Sequence, residues 1–475
     1  MDLTELDIAE MKYSTYIVGV LLSAILMVLA TPCLAPSRAQ TPGLSLDPPY
    51  NLSNSPTSSV QANLTADPSG LVHVFWSEDV NGHLVTEDQR AGNGNTLMYA
   101  HWDGSQWSIP VDIFPASETQ SITWPQATVD HRGRVHAIWF QGADQLRYGW
   151  ADVTRAGSAA NWHGPVLLDE DVTTAQDGAA ILAEGENTLH VLYATGSRFR
   201  VLEHPRGVFY TRSTDGGQSW SEPVELNRIS HLEHGANDTH LLLDDAGRLH
   251  AVWSVWNAKG LGDATYYARS LDGGQSWEKP RVADKRVGDQ VSTGMMIMTH
   301  DSDGHLLRVW LRGMPWHWHC QWSSDGGESW SAPHIPFPDL EGEQGLPTFA
   351  LDGADALHMF LGQRRVGESS IRGLWHSLWL NGEWSTANIV NAPQRGIMNP
   401  RAAVVAGNQL AVSWWDATDG EVTVLTGEVT GAPYVEPSPW PTPTPGPPPT
   451  NPATSAPPKP QITPTARPSV PLSRP

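Results

Sequence analysis

Short apolar runs ending in an aromatic or a leucine recur along residues 71–414. The strongest are LVHVFW at 71–76, RVHAIW at 134–139, TLHVLY at 188–193 and RLHAVW at 248–253. LLRVW at 306–310, ALHMFL at 356–361 and QLAVSW at 409–414 are weaker copies. Their last residues, Trp76, Trp139, Tyr193, Trp253, Trp310, Leu361 and Trp414, stand 51 to 63 residues apart. Each run follows a turn containing Gly, Asp or Asn, such as DHRG at 130–133 or DDAG at 244–247. That pattern is a hairpin leading into a buried strand. A second phrase, Trp with Pro three residues on, closes each unit: WSIP at 107–110, WHGP at 162–165, WSEP at 220–223, WEKP at 277–280, WSAP at 330–333 and a degenerate WSTA at 384–387. Proline at the start of a strand suits the outer edge of a sheet, where a missing donor is harmless. About four short strands fit each period, which predicts an all-β fold: a single β-propeller of four-stranded blades.

The first phrase occurs seven times and the second six. The seventh outer strand is expected at the other end of the chain, where PYNLS at 49–53 resembles PVELN at 223–227. The N-terminal strand would then complete the blade begun by residues 401–406, 409–414 and 421–429, leaving no free sheet edge. The reading is seven blades, with six as the alternative if one weak copy is an insertion. The propeller is assigned to residues 47–430.

The flanks differ from this middle. Residues 16–30 (YIVGVLLSAILMVLA) form an apolar run shorter than the ~20 residues of a spanning helix. Lys12 precedes it, and Ser37-Arg38-Ala39 resembles a small-residue cleavage site. Residues 1–39 are therefore read as a signal segment, with a mature start near Gln40 and an uncleaved anchor as the alternative. Residues 431–475 are rich in Pro and Thr, with almost nothing to bury, and are read as a disordered tail. The expected location is secreted or at the cell surface, with no membrane insertion after signal cleavage.

Composition narrows the class. The formal charge is 29 − 51 = −22, which argues against nucleic acid as a partner. Only Cys33 and Cys320 are present, so no disulfide framework or cysteine-rich metal site is available. No cofactor or metal is expected. The 22 Trp residues outnumber Phe and Tyr together, which indicates a repeated packing position or a sugar-binding surface.

Three units carry a sharper motif, S-x-D-x-G-x-x-W: Ser213, Asp215, Gly217 and Trp220; Ser270, Asp272, Gly274 and Trp277; Ser323, Asp325, Gly327 and Trp330. The carboxylate can accept from its own turn, and the Gly takes a positive φ. The Trp is expected to fill space between strands. Shortened relics stand at Asp103–Trp107 and Asn381–Trp384. At these residues the chain resembles the sialidase (neuraminidase) superfamily and its Asp-box, or BNR-repeat, propeller relatives. The resemblance implies that the boxes lie between the third and fourth strands, on the rim opposite an active face, and are structural. It also implies that the active face carries the loops after second strands and between blades.

Candidate contacts on that face are Arg198, Arg312, Trp316, Trp318, Arg364, Arg365 and Arg401, with Arg206 beside them. Guanidinium offers paired donors to a carboxylate, and Trp can stack on a sugar ring. Candidate catalytic carboxylates are Glu203, Glu233 and Asp238, with Glu368 also on the face. Sialidase chemistry requires three arginines, a Tyr–Glu nucleophile and an Asp. The early F/Y-R-I-P motif is absent, and Tyr193 reads as core packing, so the family's catalytic set does not transfer. His231, Glu233, His234, Asp238 and His240 crowd one between-blade segment, read as a solvated polar loop. Asp301-Ser-Asp303-Gly304 is read as a turn. His73, His136, His190, His250 and His358 recur within the strand phrase and are read as structural.

The expected function is recognition of an extracellular glycan or glycoprotein by a monomer, with catalysis open. The alternatives are an active exo-sialidase-like glycoside hydrolase and a non-catalytic protein-binding propeller.

Overall fold

The computed structural model describes residues 43–80, 94–142, 145–170, 172, 178–194, 206–229, 234–257, 259–288, 291–342, 345–368, 373–380, 382–391, 396–416 and 419–438. The apolar segment at 16–30 and the chain beyond 438 lie outside them. No helix among the described residues is long and apolar enough to cross a membrane.

Seven antiparallel sheets follow one another along the chain. Blade 1 is Ser59–Ala66, Val72–Glu78, Thr96–Trp102 and Val111–Pro115; blade 2 is Ile122–Val129, Arg134–Gln141, Gln145–Asp152 and His163–Asp169. Blade 3 is Ala179–Glu184, Thr188–Ala194, Arg206–Ser213 and Val224–Ile229; blade 4 is His234–Leu243, Leu249–Asn257, Gly262–Ser270 and Arg281–Lys285. Blade 5 has Thr293–His300, Leu306–Arg312 and His317–Ser323, with its outer strand reduced to a Cys320–His334 bridge. Blade 6 is built on Thr348–Leu351, Leu357–Arg365, Gly373–Leu380 and Asn388–Asn391. Blade 7 takes Ile397–Val405, Gln409–Asp416 and Glu421–Thr430 from the end of the ring, and its outer strand from the start. Tyr50 and Asn51 pair with Val424 and Thr423, as expected. Gly43–Leu46 adds a second stretch, pairing with Thr430 back to Gly427. The all-β fold is thus a seven-bladed propeller closed by the N-terminal strand.

The second strands are buried on both faces because each stands between two neighbouring sheets. Trp76, Trp139, Tyr193, Trp253, Trp310, Leu361 and Trp414 are all at most 1% exposed. Trp139 packs with Phe75, Leu97 and Tyr99 of blade 1, and Trp414 with Phe360 and Leu374 of blade 6. The core is therefore a set of inter-blade layers, which explains runs that are apolar throughout.

The histidines of the strand phrase build a repeated device. In blade 4, His250 Nε2 lies 3.0 Å from Asp244 Oδ2, and its Nδ1 lies 2.8 Å from Tyr267 Oη. Blades 1, 2 and 3 repeat it as Asp67–His73–Tyr99, Asp130–His136–Tyr148 and Glu184–His190–Tyr210. Blade 6 substitutes His376 for the Tyr, with Asp352–His358 intact. Burial holds His136, His190 and His250 below their ordinary value against the pull of the acid. Burial alone would raise Asp130 and Asp244, but their hydrogen-bond donors bring both carboxyls below it. Burial pushes the tyrosines up. The protons are thereby assigned: Tyr O–H donates to Nδ1, and neutral His N–H donates from Nε2 to the carboxylate.

The Asp boxes dock on these tyrosines. Trp220, Trp277 and Trp330 meet Tyr148, Tyr210 and Tyr267 of the preceding blade edge-on, at 5.2, 5.0 and 5.8 Å between ring centres. The expected packing of the box Trp between strands is corrected here: it fills the gap between blades. A Cβ at Gly217, Gly274 or Gly327 would overlap the Tyr148, Tyr210 or Tyr267 hydroxyl, so glycine is required by that approach as well as by φ near +80°. Arg212 and Arg269 add bonds of 2.9 Å each to the Gly273 and Gly326 carbonyls of the next box. Asp215 Oδ1 accepts from Ser213 Oγ, Gln218 N and Ser219 N, and its Oδ2 from Ser219 Oγ. Those donors, Ser219 foremost, hold Asp215 down to about 2, and Ser276 with Ser270 does the same for Asp272.

The neutral buried histidines set the acid stability of the ring. Their folded values lie below the ordinary 6.5, and His376 is pushed down to about 3 by burial and by His358. Below pH 6.5 the unfolded chain takes up protons that the folded ring refuses, so stability falls as pH drops. Each fully excluded proton weakens it by about 1.4 kcal/mol per pH unit. Asp67, Asp130, Asp244 and Asp352 lie below 3.8 and withdraw their contribution only as pH falls through their lowered values. The thermal midpoint is expected to be flat from pH 8 to 7 and to decline steadily below 6.5. A midpoint that rises between pH 6.5 and 5 would contradict the proton assignment.

Candidate functional site

Antiparallel blades place every inner-strand start and second-strand end on the rim opposite the Asp boxes. Five inner strands are interrupted there by a one-residue bulge, after Val60, Thr123, Asn237, Gly294 and Met398. The residue at each bulge, Gln61, Trp124, Asp238, Met295 or Asn399, has a positive φ of 46 to 60°. Such a bulge re-aims the strand. Several of these side chains bond a neighbouring blade: Gln61 Oε1 accepts from Trp124 N of the next inner strand at 2.8 Å, and Asn399 Oδ1 accepts at 2.8 Å from Leu346 N, just ahead of the preceding blade's inner strand. The bulges thus tie neighbouring blades around the axis.

The residues two positions further on occupy equivalent places: Asn63, Gln126, His240, Ile297 and Arg401. Gln126, His240, Ile297 and Arg401 line a cavity of about 270 Å³ on the axis, together with Thr239, Thr299, Thr348 and Phe349. Asn63 Nδ2 donates to Gln126 Oε1 at 2.9 Å, fixing that amide. The His240 Nδ1 is buried without a partner. Burial and then the charge of Arg401 push its imidazole down to about 4, so it is neutral at pH 7. Arg401 Nη1 donates to the Pro400 carbonyl at 3.1 Å. None of the described lining residues is Asp, Glu or Tyr. The cavity therefore combines a guanidinium, a neutral imidazole, an amide and hydroxyls with an apolar wall. That set can hydrogen-bond a polyol and balance negative charge.

The sequence candidates are distributed differently from the expectation. Arg401 lines the cavity from the inner strand. Arg312 is held at 2.8 Å by Asp284, which also accepts from Trp310 Nε1. Arg364 pairs with Glu341 at 3.2 Å, and Arg365 stands 3.7 Å from Asp339 and over the Trp375 ring at 5.0 Å. These three do not line the cavity; each sits beside its own carboxylate. Trp318 is 2% exposed and packs with Trp256, Met295 and Ile297, so it has no face for a sugar and is corrected to a core residue. Trp316 is half-buried at 6.3 Å from Trp256, with its carbonyl accepting from Gly342 N.

Asp238 is also corrected. It is 1% exposed and accepts from Trp256 Nε1 at 2.8 Å and Met295 N at 3.3 Å, so it joins blades 4 and 5. His234, Asp238 and His240 belong to an inner strand, which corrects the reading of a solvated loop there, while His231 and Glu233 lie outside the described residues. Tyr193 donates to Asp169 at 2.5 Å and is pushed up by burial and by that carboxylate, which fits packing and not nucleophilic attack. Asp301 Oδ1 accepts from Asp303 N and His305 N, which makes that segment a turn. Arg198, Glu203 and Glu233, and the side chain of Arg206, lie outside the described residues. Gln126, Thr348 and the unpaired His240 Nδ1 were not anticipated. The bulge residues share no side-chain type, so no sequence signal marked their common role.

Residues 133–359 match the family described as BNR repeat-like domain. Fold, boxes and this match together define a sialidase-like Asp-box, or BNR-repeat, β-propeller. Among solved structures, a protein of unknown function from Dyadobacter fermentans is similar at a TM-score of 0.52 and 13% identity, covering 82% of this chain and 99% of that one. A polysaccharide lyase of family PL25, an ulvan lyase bound to -[GlcA(1-4)Rha3S]-, is similar at 0.52 and 10% identity, covering 82% and 94%. A Hadza microbial sialidase aligns at 0.48 and 12% identity, covering 78% and 66%. At these identities the likeness is one of fold. No curated protein matches the chain.

Proposed function

We propose that this propeller recognises the end of a glycan chain at the axial cavity, on the face away from the Asp boxes. The observation that carries the reading is the cavity itself. Its volume of about 270 Å³ suits one sugar residue and falls just below the ~300–1,000 Å³ of clefts for larger ligands. Its polar groups, Gln126, His240, Thr348 and Arg401, surround that space from four blades. The Arg401 guanidinium in this lining offers paired donors that suit the carboxylate of an acidic sugar. Trp316, Arg312, Arg364 and Arg365 stand at second-strand ends on the same face and are the candidates for contacts further along the chain.

Titration calorimetry and a glycan array test this with purified protein. Binding to an acidic glycan is expected, and His240→Ala and Arg401→Ala are each expected to weaken it at least about tenfold, or ~1.4 kcal/mol, with the fold intact by circular dichroism. An array blank for every acidic glycan sinks the proposal.

One observation favours a catalytic reading as well. Hydrolysis by retention or inversion uses two carboxyl groups, which the described lining does not supply. A neutral imidazole beside a guanidinium suits a different step, removal of the proton on the carbon next to a sugar carboxylate. The Arg401 charge would stabilise the carbanion, the β C–O bond would break to give a C=C bond, and the departing oxygen would take up a proton. Incubation with polyuronates should then generate the ultraviolet absorbance of an unsaturated sugar, lost in His240→Ala. A flat trace across a polyuronate panel leaves recognition alone.

Export by residues 1–39 belongs to the same proposal, supported by the apolar run and the small-residue site ahead of Gln40. Protein recovered from the medium should begin near Gln40. Retention inside the cell with the first residues intact would contradict it.

A further inference from the structure

Blade 7 differs from the others at the rim that carries the Asp boxes. Its outer strand comes from the start of the chain, so no loop joins its third strand to its outer one. Its positions equivalent to the Asp, His and Tyr of blades 1, 2 and 4 hold Val405, Ala411 and Val424, all within the apolar cluster between blades 7 and 1, whereas blade 5 keeps Asp301 with Leu307 and Cys320 at the other two positions. Blade 1 in turn has only the shortened relic at Asp103–Trp107, whose Trp packs on Trp102 of its own blade. The seam where the ring closes thus lacks the tyrosine clasp.

The residues that follow the third strand of blade 7 stand where a box stands in blades 3, 4 and 5, but they do not turn back. Residues 432–438 run across the rim over the turns between first and second strands of three blades. Asn408 Nδ2, from the blade 7 turn, donates to the Ala432 and Pro433 carbonyls at 3.1 and 2.6 Å. Gly407 N donates to the Val435 carbonyl at 2.6 Å, and Ser438 N donates to the Pro68 carbonyl of the blade 1 turn at 2.9 Å. On the other side, a Cβ at Gly353 of the blade 6 turn would stand 2.5 Å from Val435 Cγ2 and 2.7 Å from the Pro433 carbonyl. The domain boundary expected at 430 is therefore passed by eight residues that belong to the ring's rim. Apart from Ser438 the bonds use carbonyls of the strap, which suits a proline-rich segment short of N–H donors.

We infer that residues 432–438 are a latch, the blade 7 counterpart of an Asp box, which holds the closing seam from the rim opposite the axial cavity. It is a conformational device: the two ends of the propeller fasten the same blade, one by strand pairing at 43–51 and the other by this strap.

Hydrogen exchange on the full chain, compared with Gly353→Ala and Ser438→Pro, tests it. Gly353→Ala displaces Val435 without demanding a new backbone conformation, and Ser438→Pro removes one exposed donor and is compatible with folding. Peptides covering 405–409 and 43–51 are expected to exchange about tenfold faster in each variant, with the Asp box at 270–277 unchanged. Wild-type exchange at 405–409 in both variants overturns the latch. Acceleration of 270–277 by the same factor also overturns it, because the effect would then be global and not seated at the seam.

Discussion

Each complete junction between blades turns on one tyrosine hydroxyl. The phenolic hydroxyl of Tyr148, Tyr210 or Tyr267 must donate inward to a buried imidazole and at the same time present its outer surface to the backbone of the next blade's box. An unmade buried bond costs about 1–3 kcal/mol, whereas a made one contributes only about 1. The chain Asp, His, Tyr is therefore valuable chiefly because nothing in it is left over. The carboxylate fixes the tautomer, the tautomer fixes the tyrosine proton, and the positioned hydroxyl leaves room for hydrogen alone at the box glycine. A box without its glycine, or a tyrosine without its histidine, would misfit the neighbouring blade and not just its own.

That arrangement fixes the rim, and the rim frees the opposite face for variation. Blades held at one end by tyrosines and boxes need only light coupling at the other. There the inner strands use bulge side chains, Gln61, Asp238 and Asn399 among them, to bond across blades. The bulge swings the residue two positions on toward the axis, so a position that is Gln, His, Ile or Arg in four of the blades becomes the wall of one cavity. Repetition supplies the scaffold, and divergence at one repeated position supplies the chemistry. Among the described residues the nearby carboxylates are engaged elsewhere: Asp284 and Glu341 pair with Arg312 and Arg364 outside the cavity, and Asp238 accepts from Trp256.

Closure raises a separate physical difficulty. A ring assembled from a linear chain has one seam that no loop crosses. Pairing of Gly43–Leu46 and Tyr50–Asn51 with Glu421–Thr430 removes the free sheet edge. The strap at 432–438 covers the turns on either side of the same blade. Both ends of the propeller thus converge on blade 7, where the rim's tyrosine device is missing.

The pattern of the chain carried the ring. Trp76 and its six counterparts, the Trp–Pro phrases and the three boxes fixed strand type, blade number, the closing strand and the rim on which the boxes stand, because each is a local rule written once per blade. The structural reading of His73, His136, His190, His250 and His358 followed from the same repetition. What the chain alone did not reveal was which residues meet. Trp318 looks like a sugar platform in an alternating segment, yet packing against Trp256 buries it. Asp238 looks like an acid in a polar loop, yet a bulge turns it toward another blade. Among the described residues, Arg312, Arg364 and Arg365 diverge to separate carboxylates, and Arg401 lines the axial cavity. The sequence determined the repeat and its hydrogen-bonded turns, since those depend on neighbours a few residues away. The tertiary structure alone decided the cavity, since its wall is drawn from single residues of different blades, brought together by closure of the ring.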